Sequence, residues 1–133
     1  MQQRSRGSRF FVYALILSSV SGLVFAQTCD FPVWTNGCSV PLNLPFFYKD
    51  KFTTACNHHD MCYHCGFTFG IKRETCDQIF LQNMRQQCSL KHLFSCKYTS
   101  ALYYKVVRKL ASSHYNQRFI PECTIPSVLP CLT

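Results

Sequence analysis

At 133 residues the chain is too short for two ordinary domains, and its ten cysteines argue against a reducing compartment. The formal net charge is +8, from 14 Lys and Arg against 6 Asp and Glu. That balance suits an anionic membrane surface or an acidic partner, or serves solubility alone.

The first nine residues carry Arg4, Arg6 and Arg9 and no acid. An apolar run follows from Phe10 to Val24, interrupted by Ser18, Ser19, Ser21 and Gly22, and ends in Val24-Phe25-Ala26. This is the three-part pattern of a secretory signal peptide, with cleavage expected after Ala26. A transmembrane anchor is the rival reading, but a run of about 15 residues falls short of the roughly 20 that span a bilayer. The expected organisation is a leader over 1–26 and one secreted domain over 27–133. Removing the leader takes three arginines with it, leaving 11 basic residues against 6 acids. Nucleic acid is a poor partner for a secreted chain of this kind. All ten cysteines remain, enough for five bridges in a domain too small to rely on its core alone.

Pro32, Gly37, Pro41 and Pro45 mark the stretch from 27 to 47 as loop. Beyond it Phe47, Phe52, Cys56, His59, Cys62 and Tyr63 recur mostly at helical spacing, which predicts a helix over 48–64 stopped by Gly66. After a short connection, Cys76, Ile79 or Phe80, Asn83 or Met84, and Gln87 or Cys88 predict a second helix over 72–90. So short a connection makes the two helices antiparallel neighbours. A third helix over 100–113 would carry Leu102, Val106 and Leu110 on one stripe. Three prolines and two cysteines in the last residues predict an extended, bridged tail.

The chemistry concentrates in "ACNHHDMCYHCG", residues 55–66. Cys56 with His59, and Cys62 with Cys65, have zinc-ligand spacing. Zinc needs reduced thiolates, however, and the secretory route is oxidising. On a helix, Cys56, His59, Asp60 and Tyr63 share one face, while adjacent His59 and Asp60 diverge by about 100°. The two can therefore serve neighbouring tasks. His59 suits a general base, and Asp60 suits a hard carboxylate ligand for calcium. A third group is needed to orient the imidazole, and Asp77 on the facing helix is the candidate. A hydrogen-bonded core feature with no catalytic task is the alternative reading of the same residues. His58 and His64 read as surface histidines.

"CNHHDMCY" resembles the C-x-x-H-D-x-C-Y helix of secreted phospholipases A2, and "TCDQIFLQNM" resembles their second catalytic helix. "WTNGCS" is similar to the calcium loop of the small bacterial and fungal enzymes. Together the motifs, spread over roughly 34–88, look most like the conodipine group from cone-snail venom. The resemblance implies a mostly α, disulfide-rich secreted domain with two antiparallel catalytic helices. It implies calcium-dependent hydrolysis of the sn-2 ester of phospholipids packed in a membrane surface. His59 would be the base and Asp77 its orienting partner. Asp60 would bind Ca2+, helped by the Gly37 carbonyl and the Asn36 side chain. It also implies bridges from Cys38 to Cys56 and from Cys62 to Cys76. Two departures stand out. Ala55 and Asn83 replace a cysteine pair together, and Asn36 stands where the bacterial and fungal loops have an aspartate. The second keeps a rival open: a toxin or receptor-binding protein on the same fold with weak catalysis. For membrane contact, Phe46, Phe47, Tyr48, Tyr103 and Tyr104 with Lys49, Lys51 and Lys105 are candidates, although Phe46 and Phe47 equally suit a core.

Overall fold

The computed structural model describes residues 29–32, 35–39 and 46–133. The expected leader, Trp34 of the loop motif, and Pro41 and Pro45 lie outside these residues. Three helices dominate: α1 (Lys49–Cys65), α2 (Arg73–Gln86) and α3 (Leu93–Leu110). There is no strand among the described residues.

Most of the row expected in α1 is buried, except Phe47, and of the pairs expected in α2 the fold buries Phe80 rather than Ile79 and Met84 rather than Asn83. Phe52, Ala55 and Cys56 of α1 meet Phe80 and Met84 of α2 and Cys96 and Tyr103 of α3 in the main core. The two helices run antiparallel. Early α1 meets the end of α2, where Lys51 Nζ donates to the Gln87 carbonyl at 3.3 Å. Late α1 meets the start of α2, where Cys62 is bridged to Cys76. A second face of α1, Met61 and Cys65, is covered by Cys123, Val128, Cys131 and Leu132 of the tail.

Several boundaries differ from the sequence expectation. Helix α1 does stop at Gly66, as expected, but with right-handed backbone. The chain tightens there into a 3-10 turn over Gly66–Phe69 and ends at Gly70, whose φ of 69° suits glycine. α2 ends at Gln86, four residues early, and α3 begins at Leu93, seven residues early. The Cys88–Cys96 bridge spans the intervening turn. Helix α3 also buries a different row: Cys96, Ser100 and Tyr103, whereas Leu102 and Leu110 are exposed. Two adjacent valines, Val106 and Val107, leave the register ambiguous in the sequence. The tail is bridged as expected, Cys65 to Cys123 and Cys29 to Cys131, but it coils into short 3-10 turns at Pro121–Thr124 and Leu129–Leu132. The described cysteines form five bridges and none is free.

Tyr48 precedes α1 with φ 63°, a left-handed conformation that costs a bulky residue about 1–2 kcal/mol. Its surroundings hold it there. The ring packs on Phe52, and Tyr48 Oη lies 2.8 Å from Ser95 Oγ. The turn directs Phe46 onto Tyr103, with ring centroids 4.0 Å apart, while the Tyr103 hydroxyl donates to the Phe47 carbonyl. Phe46 and Tyr103 are therefore packing residues rather than a free surface, and of this group Phe47 is the one that stays 66% exposed.

Candidate active site

Helical spacing places His59 and Tyr63 one turn apart on α1, both facing Asp77 near the start of α2. His59 Nε2 donates to Asp77 Oδ1 at 2.8 Å, and the Tyr63 hydroxyl donates to the same oxygen at 2.7 Å. The second oxygen, Oδ2, takes Arg108 Nη1 of α3 at 2.8 Å, with Arg73 Nη1 at 3.6 Å. Asp77 is fully buried, and both oxygens are satisfied. Burial alone would raise its carboxyl, but hydrogen bonds from His59, Arg108 and Tyr63 outweigh that and hold it below the ordinary carboxylate range. A carboxylate accepting from Nε2–H leaves Nδ1 as the lone-pair nitrogen of His59. The ring is clamped between aromatic neighbours, its centroid 4.1 Å from Tyr63 and 4.5 Å from Phe80.

Asp60 turns away from this pair as the helical angle requires. No hydrogen bond or ion pair among the described residues engages its carboxyl. Burial, offset in part by neighbouring His59, pushes that carboxyl up to about 6. It opens on a cavity of about 80 Å3 that Gly37, Cys38, Ser39, His59, Phe80 and Val107 also line. The loop carrying Gly37 is fixed to α1 twice. Cys38 is bridged to Cys56, and the Gly37 N–H donates to Asn57 Oδ1 at 2.9 Å. Gly37 has a φ of 74°, where a side chain would be strained. Asn36 is exposed, accepts from Ser39 Oγ at 3.1 Å and lines neither cavity described here.

A desolvated carboxylate with no described hydrogen bond or ion pair, lining a small cavity together with Gly37, suits a hard-oxygen donor set. Asp60 and Gly37 therefore fit a calcium ion by chemistry. Zinc does not fit. Among the described residues the one trio in ligand range is His64, Cys65 and Cys123, and those two cysteines are bridged to each other.

A larger cavity of about 560 Å3 adjoins the first, sharing Ser39, His59, Asp60, Val106 and Val107. Leu110 and Ala111 extend its apolar wall, while His64 and His114 add polar edges.

Sequence reasoning brings His59, Asp60 and Asp77 together and misses three partners. Arg108 gives no local signal, because its contact with Asp77 joins separate helices, whereas Arg73 stands four residues before Asp77 on α2, a spacing that could have been read. Asn57 lies inside the motif, but nothing in the spacing ties it to Gly37. His58, expected at the surface, is partly buried. It donates from Nδ1 to the Cys131 carbonyl at 2.9 Å and packs edge-on to Phe31.

The fold is a disulfide-rich, phospholipase A2-like one, with a histidine–aspartate pair between its first two helices. Comparison with known proteins narrows this further. The chain is 44% identical over 64 residues to the conodipine-M alpha chain of Conus magus, covering 48% of this chain and 79% of that one. It is 56% identical over 54 residues to conodipine-P3 of Conus purpurascens, and 52% identical over 54 residues to conodipine-P2 of the same snail. Those matches cover 41% of this chain but 29% of each relative, so the match spans less than a third of the conodipine-P proteins' length. The chain belongs to the conodipine family of cone-snail venom phospholipases A2. No family profile matches it, and no solved structure does.

Proposed function

We infer that this protein is a secreted, calcium-dependent phospholipase A2 that cleaves the sn-2 ester of glycerophospholipids at a membrane surface. The observation that carries this reading is the 2.8 Å bond from His59 Nε2 to buried Asp77, with the Asp60 carboxyl one residue on and engaged in no described hydrogen bond or ion pair. Membership of the conodipine family supports it, and the five bridges support export.

In this mechanism Asp77 holds the tautomer of His59 and stabilises the imidazolium that forms. A water bonded to Nδ1 gives up its proton as its oxygen attacks the ester carbonyl. The tetrahedral adduct then collapses. The C–O bond to the glycerol breaks, and the proton held by His59 passes to the departing alkoxide. The products are a fatty acid and a lysophospholipid, with no acyl-enzyme. Asp60 and the Gly37 carbonyl would hold a calcium ion, which when bound supplies charge that polarises the ester carbonyl. Tyr63 and Arg108 keep Asp77 oriented and ionised. Val106, Val107 and Leu110 receive the acyl chain and exclude water.

The rival reading, a binding protein with weak catalysis on the same fold, draws on one feature: Asp60 is the sole carboxylate among the described residues lining either cavity. The discriminating experiment is fatty-acid release from phosphatidylcholine vesicles with calcium and with excess chelator. Release abolished by chelator is expected. A folded, oxidised sample that releases nothing in either condition would favour the binding protein.

A further inference from the structure

Helix α3 carries an apolar row that the core does not use. Residues four apart form a ridge that winds around an α-helix by about 40° per step. Here that ridge is Phe94, Tyr98, Leu102, Val106 and Leu110, and Leu90 in the preceding turn continues it. Its outer end is almost fully in solvent. Leu90 and Phe94 are each 89% exposed, Tyr98 74% and Leu102 48%. Its inner end, Val106 and Leu110, is the wall of the larger cavity beside His59. One continuous row thus leads from open surface to the mouth of the site. Exposed Phe and Leu are costly to leave in water as a group, and so contiguous a set marks a contact surface.

Charge identifies what it contacts. Between Asp77 and Glu122 the sequence has no acidic residue and seven lysines and arginines. Lys91, Lys97, Lys105 and Lys109 are exposed on or just before α3, beside the ridge. Aromatic and aliphatic side chains rimmed by long lysines suit the boundary between headgroups and acyl chains of an anionic bilayer. An acidic protein would satisfy the lysines but would leave two fully exposed apolar side chains without a matching environment.

We propose that the α3 ridge, from Leu90 to Leu102 with its flanking lysines, is the surface by which this protein docks on bilayers rich in anionic phospholipid, delivering lipid along Val106 and Leu110. This rests on the reading of the site as a phospholipid hydrolase only for the delivery step; docking is separable from it.

The test uses the full oxidised protein carrying His59→Gln, in chelator, so that binding is read without turnover. Vesicles of phosphatidylcholine alone are compared with equimolar phosphatidylcholine and phosphatidylglycerol. Tighter binding to the anionic vesicles is expected. Phe94→Gln with Tyr98→Gln should weaken that binding at least about tenfold, the scale of withdrawing buried aromatic area. Replacing Lys97, Lys105 and Lys109 by Glu should erase the anionic preference, since each lysine near such a surface is worth about fivefold. With His59 intact, hydrolysis of a dispersed short-chain phospholipid should be unchanged by Phe94→Gln and Tyr98→Gln. Unaltered vesicle binding in the aromatic double variant would overturn the proposal. So would a dimer that this variant converts to monomer, because a second copy would then be the occupant of the ridge. Absence of hydrolysis of the dispersed substrate would instead sink the catalytic reading and leave the vesicle comparison to decide the ridge.

Discussion

The α1–α2 hairpin and helix α3 solve different problems. The hairpin buries a polar pair. His59 and Asp77 are buried, bonded to each other, and locked by the Cys62–Cys76 bridge beside them. Helix α3 has its one bridge, Cys88–Cys96, at its far end, and reaches the polar site through the Arg108–Asp77 pair. It turns aromatic side chains outward instead. A covalent frame around the dyad fixes geometry where catalysis needs it. A helix held by packing, one distant bridge and a few polar contacts can carry a surface chosen for contact rather than for stability.

The largest expected effect breaks the hairpin's chemistry without touching its frame. His59→Gln should lower turnover by about 10²–10⁴, the usual contribution of a general base. Gln can still donate to Asp77, so the melting temperature should stay close to that of the unaltered protein. Full activity in this variant would remove His59 from the mechanism. Next come the bridges. Serine replacement of both Cys62 and Cys76, which close a separation of 14 residues, should cost about 3 kcal/mol. Removing Cys88 and Cys96, 8 residues apart, should cost about as much by the same chain-entropy argument. The comparison sharpens in activity. At a temperature where both variants remain folded, only the Cys62–Cys76 variant should lose rate, because only that bridge adjoins the dyad. Equal losses would mean that α3 governs the dyad as closely as the hairpin does.

Arg108→Gln probes the direct side-chain contact between α3 and the dyad. It leaves Asp77 Oδ2 with Arg73 at 3.6 Å and should destabilise the fold by about 1–3 kcal/mol, as for a buried acceptor short of a donor. Loss of packing alone would not move a pH profile. Removing a cation beside the base's carboxylate partner should shift the acid limb of kcat/KM to higher pH, and Arg108→Lys should restore part of that shift. An unmoved limb would reduce Arg108 to a structural tie.

The same contrast explains what the sequence makes legible. In the hairpin, apolar spacing, a fixed motif and a short connection agree with one another, and together they single out His59, Asp60 and Asp77. In α3 the local signal is ambiguous. Val106 and Val107 can belong to either of two rows, and Leu102 and Leu110 imitate a core stripe while being exposed. Local pattern reports amphipathicity but does not say which partner an apolar row has. The roles of Arg108 and Asn57 depend on contacts 31 residues apart for Arg108 and 20 for Asn57, which no spacing rule reaches. Gly66 stops α1 as the sequence predicts, though not through a left-handed turn. Its C-cap backbone is right-handed, so the freedom of glycine is used at Gly70 instead.

The smallest expected effect sets the two site carboxylates against each other. Asp77 is held below its ordinary range, so its contribution to stability is present above pH 3.8 and is lost as pH falls further. Asp60 behaves oppositely. Burial raises it from 3.8 to about 6, so the folded state binds a proton that the unfolded state has released. In calcium-free protein, stability should therefore decline as pH rises through that window. Asp60→Asn should remove the decline and leave the acid-side loss from Asp77 intact. A calcium ion bound at Asp60 would favour the ionised carboxylate, so millimolar calcium should flatten the same window in the unaltered protein and do nothing in Asp60→Asn. Denaturant titrations at several pH values, with calcium and with chelator, measure all of this without any substrate. A decline that survives Asp60→Asn would place the desolvated charge elsewhere, and calcium that stabilises Asp60→Asn equally would place the ion away from Asp60.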